Sequence, residues 1–102
     1  MALTTQAELL EAAKKYKGNH AIDSLLSLID YHHGCNKASI MHLKVVQLML
    51  DEVQEGKRQY NLDTCAALSK HSRDIEINTR GVLTCFTVLA SVLPSLGEEV
   101  SY

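Results

Sequence analysis

The sequence predicts an all-α protein, a small four- or five-helix bundle that forms an oligomer. Apolar residues recur at helical spacing along most of the chain. The 102 residues include one Pro and five Gly, too few for a loop-rich β fold. With no Trp and one Phe, the core must be aliphatic, which suits helices packed on helices. At this length a single domain, residues 1–102, is expected.

Two helices are predicted in the first third of the chain. The first begins at a capping box in which Thr5 and Glu8 satisfy each other's backbone donors, and it ends at Gly18. Asn19 is expected to cap a second helix, whose apolar positions keep helical spacing up to Gly34.

A third helix is predicted from about Asn36 to Gly56, with apolar side chains over more than half of its circumference. Two neighbouring elements cannot cover so wide an arc, and exposed apolar surface on a small domain indicates an interface. The interface is expected to combine this arc with a hydroxyl strip on the last helix. Its predicted members are Met41, His42, Val45, Leu48, Met49, Arg80, Thr84 and Thr87.

The last part of the chain is predicted to form a short helix, Leu62–His71, and a long one from about Arg73 to Leu93. A β-hairpin over residues 74–90 is the competing interpretation, because that segment is rich in β-formers. The continuous helical stripe favours the helix. Pro94 and Gly97 should end it, leaving residues 95–102 as a frayed tail.

The cysteine content and an N-terminus that lacks both a basic and an apolar signal region indicate a cytoplasmic protein. The net charge of −2 gives no sustained positive field to attract nucleic acid or an anionic membrane. The three cysteines, Cys35, Cys65 and Cys85, form no CxxC pair and are expected to be free thiols. The uncharged run of residues 81–97 is interpreted as a buried helix rather than a membrane span.

Four side chains around Gly34 form a possible metal site. A tight turn there could bring His32, His33, Cys35 and His42 together, and zinc accepts such ligands. Their spacing matches no zinc signature, so the preferred interpretation is core or interface histidines. We expect no metal and no cofactor.

A second candidate is an anion or nucleotide site at the junction of the first two helices, where three lysines precede an open helix N-terminus. The alternative is a solvated helix end whose lysines complement the helix dipole. The candidate residues are Lys14, Lys15, Tyr16, Lys17, Asn19 and His20.

The third candidate is a DNA-binding helix-turn-helix over residues 64–89. It has a long turn and a recognition helix with Arg80 as its only basic side chain, which is a weak pattern. Enzyme motifs such as a P-loop or GxSxG are absent from the sequence, so no catalytic residue is predicted.

These observations favour a non-catalytic binding protein: a small helical adaptor, inhibitor or regulatory protein that binds itself and another protein. The alternatives are an anion or nucleotide-ligand binder that uses the Lys14–His20 segment and takes a small phosphorylated ligand, and the DNA-binding regulator.

Overall fold

The fold is helical, as predicted. A computed structural model describes residues 2–58 and 62–102, apart from the side chain of Thr64. Within those residues the helices are α1 (Gln6–Lys14), α2 (His20–Gln54) and α3 (Leu62–Val92), followed by a 3-10 helix, Leu93–Leu96. The all-α class is confirmed. The prediction of four or five helices is wrong, because two predicted breaks lie inside continuous helices.

The first of these breaks is at Gly34, which lies within α2 instead of ending a helix. Side chains that are buried or half-buried recur along α2 with alternating spacings of three and four residues, the pattern of a coiled-coil seam. They are Ile22, Leu25, Ile29, His32, Asn36, Ser39, Leu43, Val46, Leu50 and Val53. Because the members next to Gly34 are polar, a search for apolar periodicity loses the seam there.

The second break was expected after His71, and α3 runs through it. Its seam passes through His71, Ile75, Asn78, Val82, Cys85, Leu89 and Val92. A helix over residues 74–90 is confirmed, and the β-hairpin alternative is wrong. The helix-turn-helix alternative is also wrong, because residues 71–78, where its turn was expected, are helical.

Three glycines do adopt the left-handed conformation that L side chains avoid: Gly18, Gly56 and Gly97 have φ of 99°, 76° and 100°. They follow α1, α2 and the 3-10 helix, as expected of helix-terminating glycines. The start of α1 is also as predicted, since Thr5 Oγ1 accepts from the Glu8 amide at 3.2 Å. Hydrogen bonds from the Thr5 and Thr4 hydroxyls lower the pKa of Glu8.

The chain divides into two compact units. The terminal unit comprises Met1–His32 and Arg80–Tyr102, and the central unit comprises His33–Thr79. The buried apolar cluster lies in the terminal unit and includes Phe86. Its side chains come from α1, from the 3-10 helix and from the parts of α2 and α3 that belong to this unit. The members of this cluster are Leu9, Ala12, Ala13, Ile22, Leu25, Ile29, Val82, Cys85, Phe86, Leu89 and Leu93.

The C-terminal tail, predicted to be frayed, is bonded to the N-terminal segment within the terminal unit. The Leu3 amide donates to the Glu99 carbonyl at 2.8 Å, and the Ser101 amide donates to the Leu3 carbonyl at 2.8 Å. Val100 packs against the core cluster. Residues 99–101 therefore have hydrogen-bond partners that helical periodicity cannot reveal.

In the central unit, the α2 and α3 segments pack side by side and antiparallel. Asn36 Nδ2 lies 3.1 Å from Thr79 Oγ1, and the His42 and His71 rings stack with centroids 4.8 Å apart. Among the described residues of this unit, Val46 is the one apolar residue that is buried, with 5% of its surface exposed. The seam between the two segments is therefore largely polar or half-exposed.

By length and composition alone, the helical stretch Cys65–Leu96 could also cross a membrane. Core helices of soluble proteins have the same length and composition.

Candidate interaction surface

An apolar stripe lies on the surface of the central unit. Met41, Val45 and Leu48 occupy one face of α2, at spacings of four and three residues. These residues are 65%, 57% and 62% exposed, so their apolar side chains are available to a partner. All three belong to the predicted apolar arc and to the predicted interface. We call these three residues the α2 stripe.

A row of charged side chains runs beside the α2 stripe. Lys37, Lys44 and Asp51 follow one another at intervals of seven residues, so they share one flank of the helix, and all three are exposed. The row is cationic at its N-terminal end, at Lys37 and Lys44, and anionic at its C-terminal end, at Asp51. Asp51 also accepts a hydrogen bond from Gln47 at 3.1 Å.

The other predicted interface residues differ in their exposure and in the contacts that they already make. His42 is exposed and stacks on His71, and Met49 is half-buried. On α3, Arg80, Thr84 and Thr87 are exposed. The Thr87 hydroxyl donates to the carbonyl of Leu83 at 3.0 Å, so part of the hydroxyl strip bonds to its own helix. The α2 stripe is therefore the stronger candidate surface.

The structure does not provide the turn that the histidine site required. Because α2 is continuous, His33 and His42 are separated by nine residues of helix, about 13.5 Å along its axis. Among the described residues, no group of three or more His, Cys, Asp or Glu side chains could hold a metal ion. Cys35 and Cys65 are half-buried free thiols, and Cys85 is a buried one.

At the junction of α1 and α2, protein groups already satisfy the amides that an anion would use. Asn19 Oδ1 accepts from the amides of Ala21 and Ile22 at 3.1 and 3.3 Å, which makes it the predicted cap. The Asp23 carboxylate accepts from the Gly18 amide at 3.1 Å. An anion would have to displace this carboxylate and overcome its charge.

The basic side chains of the same segment also have acidic neighbours. Lys14 Nζ lies 2.9 Å from Glu11 Oε1, a contact that lowers the pKa of Glu11. Lys15 Nζ lies 3.6 Å from Glu98, and the Tyr16 hydroxyl lies 2.9 Å from the same carboxylate. Lys17 and His20 are exposed.

Lys14 and Lys17 line a groove of about 670 Å³ on the terminal unit, together with Asp23 and Asp30. Leu10 and Leu26 supply apolar surface to it. The groove carries equal numbers of basic and acidic side chains, which gives a phosphate no net attraction.

Sequence reasoning missed the polar seam of the central unit. Asn36 Oδ1 and His71 Nδ1 are buried without a hydrogen-bond partner among the described residues. A heptad search that accepts polar members would have placed both on the seam, because the apolar positions on either side keep the same register.

Comparison with known proteins finds no match to a protein family, to a curated protein or to a solved structure.

Proposed function

We propose that this chain is a non-catalytic binding protein, a small helical adaptor, inhibitor or regulator that associates with protein partners through the α2 stripe. The observation that carries the proposal is the exposure of Met41, Val45 and Leu48 on one helix face. Fully burying an exposed side chain of this size gains roughly 1.5–3 kcal/mol, and more than half of each of these three residues is still exposed.

The composition of the central unit supports the same conclusion. Val46 and Ser39 are its buried residues among those described, so the α2 and α3 segments bury little apolar surface against each other. A helical pair with a polar seam and an apolar outer face gains stability when a partner covers that face. Binding through the α2 stripe therefore has a physical driving force.

The experiment compares two matched sets of substitutions in the full chain. The test variant combines Met41→Gln, Val45→Thr and Leu48→Gln, which keep size and helicity while removing the apolar surface. The control combines Leu28→Gln and Leu83→Gln, two leucines of the terminal unit that are 47% and 48% exposed.

Each form serves as tagged bait for a host extract supplemented with untagged copies of the chain, and the captured proteins are quantified. We expect the wild type and the control to capture the same partners in equal amounts. The test variant should capture at least about 90% less of each, because a loss of about 1.4 kcal/mol in binding free energy weakens affinity tenfold. Equal capture by all three forms would contradict the proposal.

A further inference from the structure

We propose that the partner of the α2 stripe is a second copy of this chain, bound antiparallel across a two-fold axis. This inference rests on the proposed function and identifies the partner that covers the α2 stripe. The order of the charges beside the stripe supports it, since a surface that pairs with itself must complement itself.

The apolar positions set the register of such a pair. In antiparallel packing, Val45 of each copy lies against Leu48 of the other, which places the two-fold axis between these positions. Met41 then lies toward the Glu52 end of the second helix. Both helices contribute the same exposed stripe, so each copy covers the face that the other leaves in water.

In this register the flanking charges are complementary. A two-fold axis perpendicular to the helices keeps the same flank of each helix on the same side. Lys44 of each copy therefore lies beside Asp51 of the other, and the contact occurs twice. Both side chains are exposed, so they can reach across the rim of the interface without burial of a charge.

Parallel packing of two copies would not bring these charges together. A two-fold axis that runs along the helices places the charged row of each copy on the opposite side of the interface, so Lys44 of one copy does not meet Asp51 of the other. The antiparallel arrangement pairs the two charges twice, and the charge row therefore favours that orientation of a second copy.

The test uses charge reversal at the two rim positions. Lys44→Glu and Asp51→Lys each replace two attractive contacts by two repulsive ones, and the double variant restores attraction with the signs exchanged. Sedimentation equilibrium on the full chain measures self-association, and circular dichroism confirms that each variant is folded. Lys44→Gln serves as the neutral control.

We expect the wild type at micromolar concentration to approach twice the monomer mass of 11.3 kDa. Each single reversal should weaken self-association by about tenfold, the neutral variant by less, and the double variant should recover the wild-type value. A folded double variant as weak as the single reversals would overturn the antiparallel arrangement.

A wild type that stays at 11.3 kDa would overturn the second copy as partner. The capture experiment then separates the two proposals. Stripe-dependent capture of a different protein by that monomer would leave the proposed function standing, whereas capture that ignores the stripe would remove both.

Discussion

At the residue scale, the contact between Tyr16 and Glu98 joins the end of α1 to the C-terminal tail. The Tyr16 hydroxyl lies 2.9 Å from Glu98 Oε1 and 3.2 Å from the Leu96 carbonyl. The sequence predicts Thr5 and Glu8 as a cap because both partners lie within three residues. It cannot predict a bond across 82 positions, since periodicity describes only neighbours along the chain.

Replacing Tyr16 should change how stability depends on alkaline pH. The hydrogen bond to Glu98 raises the pKa of Tyr16 above its usual value of 10.0. A raised pKa in the folded state stabilises the protein fully below pH 10.0, and the contribution is lost as pH rises through the folded pKa. Tyr16→Phe should therefore lower Tm at neutral pH and reduce the further fall in Tm above pH 10.0.

Thermal unfolding followed by circular dichroism from neutral pH to above pH 10.0 measures both effects. Tyr102→Phe is the control, because the partner of the Tyr102 hydroxyl is a neutral amide instead of a carboxylate: Gln6 Nε2 donates to it at 3.2 Å. If Tyr16→Phe and Tyr102→Phe gave parallel profiles, the Glu98 contact would not be the source of the alkaline loss.

At the element scale, the helix ends and the helix interiors differ in how well the sequence reveals them. Gly18, Gly56 and Gly97 were recognisable as helix-terminating because each follows an apolar periodic segment. Gly34 has the same sequence context, yet it lies inside α2. A glycine within a helix costs only about 1 kcal/mol, so packing along the seam can override it. That packing involves α3, which is distant along the chain, so the residues around Gly34 do not reveal it.

The two glycines inside helices should respond in opposite ways to a methyl group. A Cβ at Gly34 would meet no atom within 4 Å, whereas a Cβ at Gly81 would lie 2.7 Å from His32 Nε2. Gly34→Ala should raise the free energy of unfolding by about 0.5–1 kcal/mol through helix propensity. Gly81→Ala should lower it by roughly 1–2 kcal/mol, because overpacking against the His32 ring exceeds that gain. Urea unfolding measures both changes.

A double-mutant cycle supplies the control for Gly81. In a His32→Ala background the ring is absent, so Gly81→Ala should become stabilising, like Gly34→Ala. A Gly81→Ala variant that is destabilised equally with and without the His32 ring would show that another contact is responsible.

At the scale of the whole molecule, stability should be distributed unevenly between the two units. The eleven-residue apolar cluster lies in the terminal unit, whereas Val46 is the one buried apolar residue among the described residues of the central unit. Local opening is easiest where few apolar contacts are lost. Apolar composition indicates how much core a chain can form, but not that one unit holds nearly all of it.

Hydrogen exchange of the full chain should show this difference and its relief by association. In dilute solution we expect faster exchange in the α2 segment 36–52 than in the α3 segment 82–92, since the latter belongs to the core. Covering the α2 stripe by a second copy stabilises the folded central unit by mass action. When the concentration of free protein is ten times the dissociation constant, exchange of residues 41–48 should slow by about tenfold.

The Lys44→Glu variant provides the matched comparison, because it keeps the stripe and weakens only the rim. Its exchange in residues 36–52 should remain fast at the concentration that protects the wild type, while segment 82–92 should exchange alike in both proteins. Equal exchange in the two segments at low concentration would contradict the uneven core. Protection that does not depend on concentration would contradict association, because only a bound partner couples exchange to the amount of protein.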